Sequence, residues 1–67
     1  MTLRSSLLQS VAYDRVTSRL DVRFRNGETY EYLMVPSAVY DELMRADSKG
    51  RFFLAKISGK YPFRRTS

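Results

Sequence analysis

Two hydrophobic periods run along this chain. From Arg19 to Phe24 the positions alternate: Leu20, Val22 and Phe24 fall on one side, Asp21 and Arg23 on the other. A period of two is the mark of a half-buried strand. Leu7 to Tyr13 reads as an earlier strand with less regular alternation, and the polar run Asp14–Ser18 reads as the turn between them. Thr29 to Met34 reads as the returning strand after Asn26-Gly27, a strong hairpin signal because both residues accept positive φ. Beyond Val35-Pro36 the period changes. Val39, Tyr40, Leu43 and Ala46 recur at helical spacing while Asp41 and Glu42 fall on the water-facing side. Pro36 suits the first helical position, whose N–H has no acceptor. Asp47-Ser48 can cap a second helix carrying Phe52, Phe53, Leu54 and Ile57. Ser58-Gly59 ends it, and Lys60 to Arg65 reads as an extended tail, since the residue before Pro62 disfavours helix.

The hairpin register follows from the same pattern. A two-residue loop would place Val22 opposite Glu31. A three-residue loop with Gly27 at a bulge pairs Phe24 with Glu28, Val22 with Tyr30 and Leu20 with Tyr32. One residue of slip moves every side chain to the other face. The bulged register groups Leu20, Val22, Tyr30, Tyr32 and Met34, at the cost of opposing Asp21 to Glu31. The pattern therefore predicts an α+β domain: a three-stranded antiparallel meander followed by two short helices (β-β-β-α-α). The expected core is Leu8, Val11, Leu20, Val22, Phe24, Tyr30, Tyr32, Val39, Leu43, Phe53 and Ile57. The single domain is expected over residues 5–65, with 1–4 and 66–67 as flexible termini.

Composition narrows the chemistry. Cysteine and histidine are both absent from the 67 residues. That excludes disulfides, Cys/His zinc sites and His-dependent nucleophilic catalysis. Asp41 and Glu42 are adjacent and do not share a helix face, so they make a poor metal pair. Tyr13-Asp14 as an acid–base pair would demand a strongly shifted pKa; Asp14 reads as a turn residue and Ser5-Ser6 as the lead-in to the first strand. No enzyme, cofactor or metal is expected. No stretch approaches the ~18 apolar residues that span a bilayer, and Met1–Ser6 leads into no signal-peptide core. The expectation is a cytoplasmic protein with no membrane partner.

Charge is unevenly spread. Residues 1–47 hold six basic and seven acidic residues, whereas residues 48–67 hold six basic and no acidic ones. A basic segment of this kind suits a polyanion such as nucleic acid. Ser48-Lys49-Gly50-Arg51 opens a helix, where free N–H groups and the helix dipole favour anions. Gly50 there either admits a phosphate or permits a tight turn. Lys56, Lys60, Arg64 and Arg65 interleave with Tyr61 and Phe63. The aromatics either stack on bases or pin the tail to the core.

In order, the phrases Ser5-Ser6, Tyr13-Asp14, Leu20-x-Val22-x-Phe24, Asn26-Gly27, Tyr30-x-Tyr32, Val35-Pro36, Val39-Tyr40-x-x-Leu43, Ser48-Lys49-Gly50, Phe52-Phe53, Ile57 and Tyr61-Pro62 resemble the KTSC domain. That family is named for its place at the C-terminus of certain lysyl-tRNA synthetases, and it also occurs as short stand-alone bacterial and phage-related proteins. The resemblance runs from about Ser5 to Arg65. It implies a small binding module for RNA, tRNA in particular, with no catalytic residue or cofactor. Two positions depart from the family pattern: Ala12 stands where Gly is common, and Leu54 where a polar residue, often Asn, is common. The expected function is thus a non-catalytic RNA-binding module using Lys49, Gly50, Arg51, Lys56, Lys60, Tyr61, Arg64 and Arg65. The alternative is a protein-interaction module of phage or prophage origin that docks on a host protein.

Overall fold

The hairpin turn fixes the register of the sheet. In a computed structural model that describes residues 1–67, Asn26 Oδ1 accepts from the Glu28 N–H at 2.9 Å. Gly27 takes φ 93°, which only glycine adopts without strain. Gly27 N donates to Phe24 O and Phe24 N to Glu28 O, closing the bulged three-residue loop. β2 (Arg19–Phe24) and β3 (Thr29–Tyr32) then pair Val22 with Tyr30 and Leu20 with Tyr32. β1 (Leu8–Asp14) pairs antiparallel with β2, with an irregularity between Leu8 and Ser10. Asp14 Oδ1 accepts from the Val16 and Thr17 N–H groups and so starts the β1–β2 turn.

The sheet has four strands, not three. β4 (Phe63–Arg65) adds to β3, giving the order β1-β2-β3-β4. The expected tail is a strand because its alternation continues the sheet. Phe63 lies opposite Tyr32 on the helix-facing side, and Arg64 opposite Glu31 on the outer side. The Asp21–Glu31 opposition is thereby offset: Arg64 lies 2.9 Å from Glu31, and Arg19 lies 3.4 Å from Asp21 and 3.9 Å from Glu31.

Both termini, expected to be flexible, are held in the structure. Leu3 is 4% exposed. Its N–H donates to Gln9 O, and Met1 and Val11 exchange hydrogen bonds. Residues 1–3 thus cover the outer edge of β1. Thr66 N donates to Thr29 O and Thr29 N to Ser67 O. Main-chain groups at a sheet edge need partners, and these segments supply them.

β3 stops at Tyr32, before Met34, which the alternation places on the core face. Met34 instead takes φ 61° and faces solvent. The chain turns there to bury Val35, whose N–H donates to Ser18 O. Pro36 is the N-cap of α1 (Ser37–Arg45) rather than its first residue, with ψ 146°. Ser48 caps α2 (Lys49–Lys56), its Oγ accepting from Arg51 N at 3.3 Å.

Both helices lie on one face of the sheet. Between the layers sit Leu8, Val11, Leu20, Val22, Tyr32, Leu43, Phe53 and Ile57, all buried. Leu3 and Val35 join this core from segments that had no periodic signal. Phe24, Tyr30 and Val39, expected inside, are only partly buried against it.

Candidate nucleic-acid interface

Two adjoining depressions flank the start and middle of α2. The first is a cleft of about 310 Å3 between the loop before β1 and the start of the helix. Arg4, Lys49 and Arg51 line it with Ser5, Ser48 and Gly50, and Asp47 is its one acid. Arg4 and Arg51 are exposed. Lys49 Nζ donates to Ala46 O, which holds its ammonium at the cleft wall. The first-turn N–H groups of a helix have no intrahelical acceptor, and Ser48 satisfies one of them here.

The loop opposite is folded around the Ser5 hydroxyl. Ser5 Oγ accepts from both Leu7 N and Leu8 N at 3.1 Å. A Cβ on Gly50 would lie 3.1 Å from that Oγ and 3.4 Å from Leu7 Cβ. The absent side chain therefore lets α2 approach this loop. Gly50 lies within α2 and not in a turn that needs positive φ, so the geometry favours a role outside the two expected ones: close packing of the helix on this loop.

The second depression is a groove of about 530 Å3 on the helix-facing side of β2, β3 and β4. Phe24, Tyr30, Tyr32, Phe53 and Phe63 form its aromatic lining. Tyr30 is the hub: its ring centroid is 5.5 Å from those of Phe24 and Phe63 and 6.4 Å from that of Tyr32. Arg25, Asn26 and Glu28 add polar groups. Ser6, Leu7 and Leu54 line both depressions, so the two lie side by side. Leu54 is 60% exposed at their junction, where the family resemblance leads to expect a polar residue. Arg25 also ties the two together. Its guanidinium donates to Ser5 O and Leu3 O at 2.9 and 2.7 Å, while its side chain lines the groove.

The expected site residues separate into three groups. Lys49, Gly50 and Arg51 meet in the basic cleft. Lys56 and Lys60 are exposed at and beyond the far end of α2, and Tyr61 is half-buried against the core. Arg64 and Arg65 are in β4 and are engaged, Arg64 with Glu31 at 2.9 Å and Arg65 with Glu28 at 3.3 Å. Their charge is largely offset within the sheet. Phe63 was singled out among the tail aromatics, but Arg4, Arg25 and the other groove aromatics were not. Arg4 comes from a segment with no periodicity, and the alternation that reveals Tyr30 also makes it read as core.

A second aromatic cluster lies at the other end of β1. Tyr13 stacks on Tyr40 at 4.7 Å, and the Tyr13 hydroxyl donates to Val35 O. Arg15 sits over both rings at 5.8 and 5.7 Å and pairs with Asp41 at 2.9 Å. Asp41, expected on a solvated face, is thus engaged. No group of three Asp, Glu, His or Cys side chains is placed to hold a metal ion. No helix is long and apolar enough to cross a membrane.

Known proteins resemble this chain across most of its length. A KTSC domain protein of Yersinia pestis has a crystal structure that superposes with a TM-score of 0.97 at 39% identity, covering 100% of this chain and 94% of that one. A lysine–tRNA ligase of Nostoc punctiforme is 37% identical over 92% of this chain, which spans only 11% of that enzyme. An uncharacterised protein of Stutzerimonas stutzeri is 43% identical over 79% of this chain and 75% of its own length. The KTSC domain profile matches residues 4–61. Four strands, two helices and the ordered set of phrases that connects them thus place this chain in the KTSC domain family.

Proposed function

We propose that this chain is a non-catalytic module that binds RNA, holding phosphates in the cleft at the start of α2. The observation that carries the reading is convergence. Arg4 comes from before the first strand and Lys49 and Arg51 from the second helix, yet the three cations line one cleft with a single acid. Cations gathered on a small surface favour a chain of phosphates, and binding of that kind weakens with salt. Lys56 and Lys60 add exposed positive charge at and beyond the far end of α2. The similarity to one segment of lysine–tRNA ligases supports RNA as the polyanion. With the tail arginines engaged by Glu28 and Glu31, the weight of the reading falls on the cleft.

Equilibrium binding of a short single-stranded RNA at low salt tests this. The Lys49→Gln/Arg51→Gln pair should weaken binding strongly and flatten its salt dependence by ~0.7 per lost phosphate contact. The Arg64→Gln/Arg65→Gln pair should weaken it less. Equal affinity in the unsubstituted chain and the cleft pair would remove the assignment. Binding to a protein partner that persists at high salt would then favour the docking reading, which the exposure of Leu54 and Phe63 supports.

A further inference from the structure

We infer that the aromatic groove beside the cleft receives an unpaired base of the same RNA strand. This rests on the RNA reading and names the form of RNA: single-stranded, with a base turned out of any stack.

Three observations carry it. The groove adjoins the basic cleft, sharing Ser6, Leu7 and Leu54 as wall residues, so a strand held in one lies within reach of the other. Phe63 is 54% exposed at one wall, with Phe24 and Tyr30 half-buried beside it, so part of the aromatic lining is open to solvent. An aromatic face exposed beside a cluster of cations suits a base on a phosphate chain, because every base offers a flat π-face. Its volume of about 530 Å3 lies within the ~300–1,000 Å3 of sites that enclose small ligands.

The polar rim fits a base better than an apolar side chain. Asn26 spends its Oδ1 on the Glu28 N–H, which leaves its amide NH2 to donate to a base edge. Glu28 offers a carboxylate acceptor, and Arg65 at 3.3 Å offsets its repulsion of a nearby phosphate. Arg25, anchored on Ser5 O and Leu3 O, puts positive charge where cleft and groove meet.

The test compares three probes at low salt by fluorescence anisotropy: a short single-stranded RNA, an abasic strand with the same number of phosphates, and an RNA duplex. The unsubstituted chain should bind the base-bearing strand at least about fivefold tighter than the abasic one, and more tightly than the duplex. Phe63→Ala, checked for folding by its thermal melt, should remove that advantage and leave abasic affinity unchanged. The comparison within the unsubstituted chain stands even if the variant does not fold. Equal affinity for base-bearing and abasic strands overturns the base pocket and leaves the RNA reading intact. A full base-dependent advantage in a folded Phe63→Ala overturns the assignment to this groove. No binding of any probe, including the case where the groove instead takes an apolar peptide, overturns both readings.

Discussion

The molecule has two aromatic clusters on the helix-facing side of its sheet, and they differ in how they are finished. At one end Tyr13 and Tyr40 stack, Arg15 lies over both rings, and Asp41 holds Arg15. The Tyr13 hydroxyl is spent on Val35 O. Ring faces, hydroxyl and cation are all used within the chain. At the other end Tyr30 stacks on Tyr32 at 6.4 Å and meets Phe24 edge-on and Phe63 at a tilt, no cation caps the rings, and the groove they line stays open beside the basic cleft. The first cluster spends its interactions on fastening α1 to the β1–β2 turn. The second keeps aromatic surface available, which is what a binding site requires. Aromatic content alone does not separate the two; the presence of a cap does.

The largest expected effect tests where core ends and groove begins. Phe53 is 2% exposed and packs edge-on against both Phe24 and Tyr32. Phe53→Ala should cost ~3–5 kcal/mol, enough to unfold much of a chain whose total stability is roughly 3–10 kcal/mol at this length. Phe63→Ala should cost far less in urea denaturation. Similar losses for the two would make Phe63 core and remove the open groove.

Gly50→Ala comes next. The added methyl meets Ser5 Oγ, which two N–H groups hold in place and which therefore cannot yield cheaply. A loss of about 1–3 kcal/mol is expected, together with weaker RNA binding as the cleft loses its shape. Unchanged stability with weaker RNA binding would favour the phosphate-admitting role instead, and a neutral result in both assays would remove both roles.

Tyr13→Phe sharpens the contrast from the capped side. It removes the donor to Val35 O and should cost about 1 kcal/mol while leaving RNA affinity unchanged. An affinity loss larger than the stability loss would make the capped cluster part of the site.

The smallest effects are in pH. Burial, with Tyr30 adding to it, raises the Tyr32 phenol above its ordinary value of 10.0. The folded state then holds its proton longer than the unfolded chain. Stability from this group is complete below pH ~10 and falls as pH rises through the folded value. Tyr32→Phe should lessen the alkaline decline in a melting series. Asp14 behaves oppositely: N–H groups of Val16 and Thr17 lower its pKa below 3.8. Its contribution is present above that value and is lost as pH falls through the folded one, so Asp14→Asn should lessen the acid decline.

Much of the fold was legible because period and turn chemistry agree. Asn26-Gly27 allows two loops, the alternation of Leu20, Val22 and Phe24 selects the bulged one, and Ser48 is a local cap; the structure adopts both. What was illegible is non-local. β4 has only three residues, and its strand character appears only when Arg64 faces Glu31 across the sheet. Leu3 has no periodic neighbours, so its burial depends on the edge of β1 being there to receive it. The site divides in the same way. Lys49 and Arg51 stand out as charges at a helix start, whereas Arg4 joins them through the loop that Ser5 folds against Gly50. Tyr30 was read as core because alternation reports which face a residue takes, not whether a helix covers that face.

Backbone amide shifts of the isotope-labelled chain, followed by NMR as single-stranded RNA is added at low salt, test the central contrast most directly. The expected changes concentrate at Arg4–Leu7, Asn26–Tyr30, Lys49–Arg51 and Phe63, with the amides of Tyr13–Ser18 and Tyr40 unmoved. Changes centred on Tyr13, Arg15 and Tyr40, or no saturable change anywhere, would contradict the assignment of the open aromatic end and its cations as the binding surface.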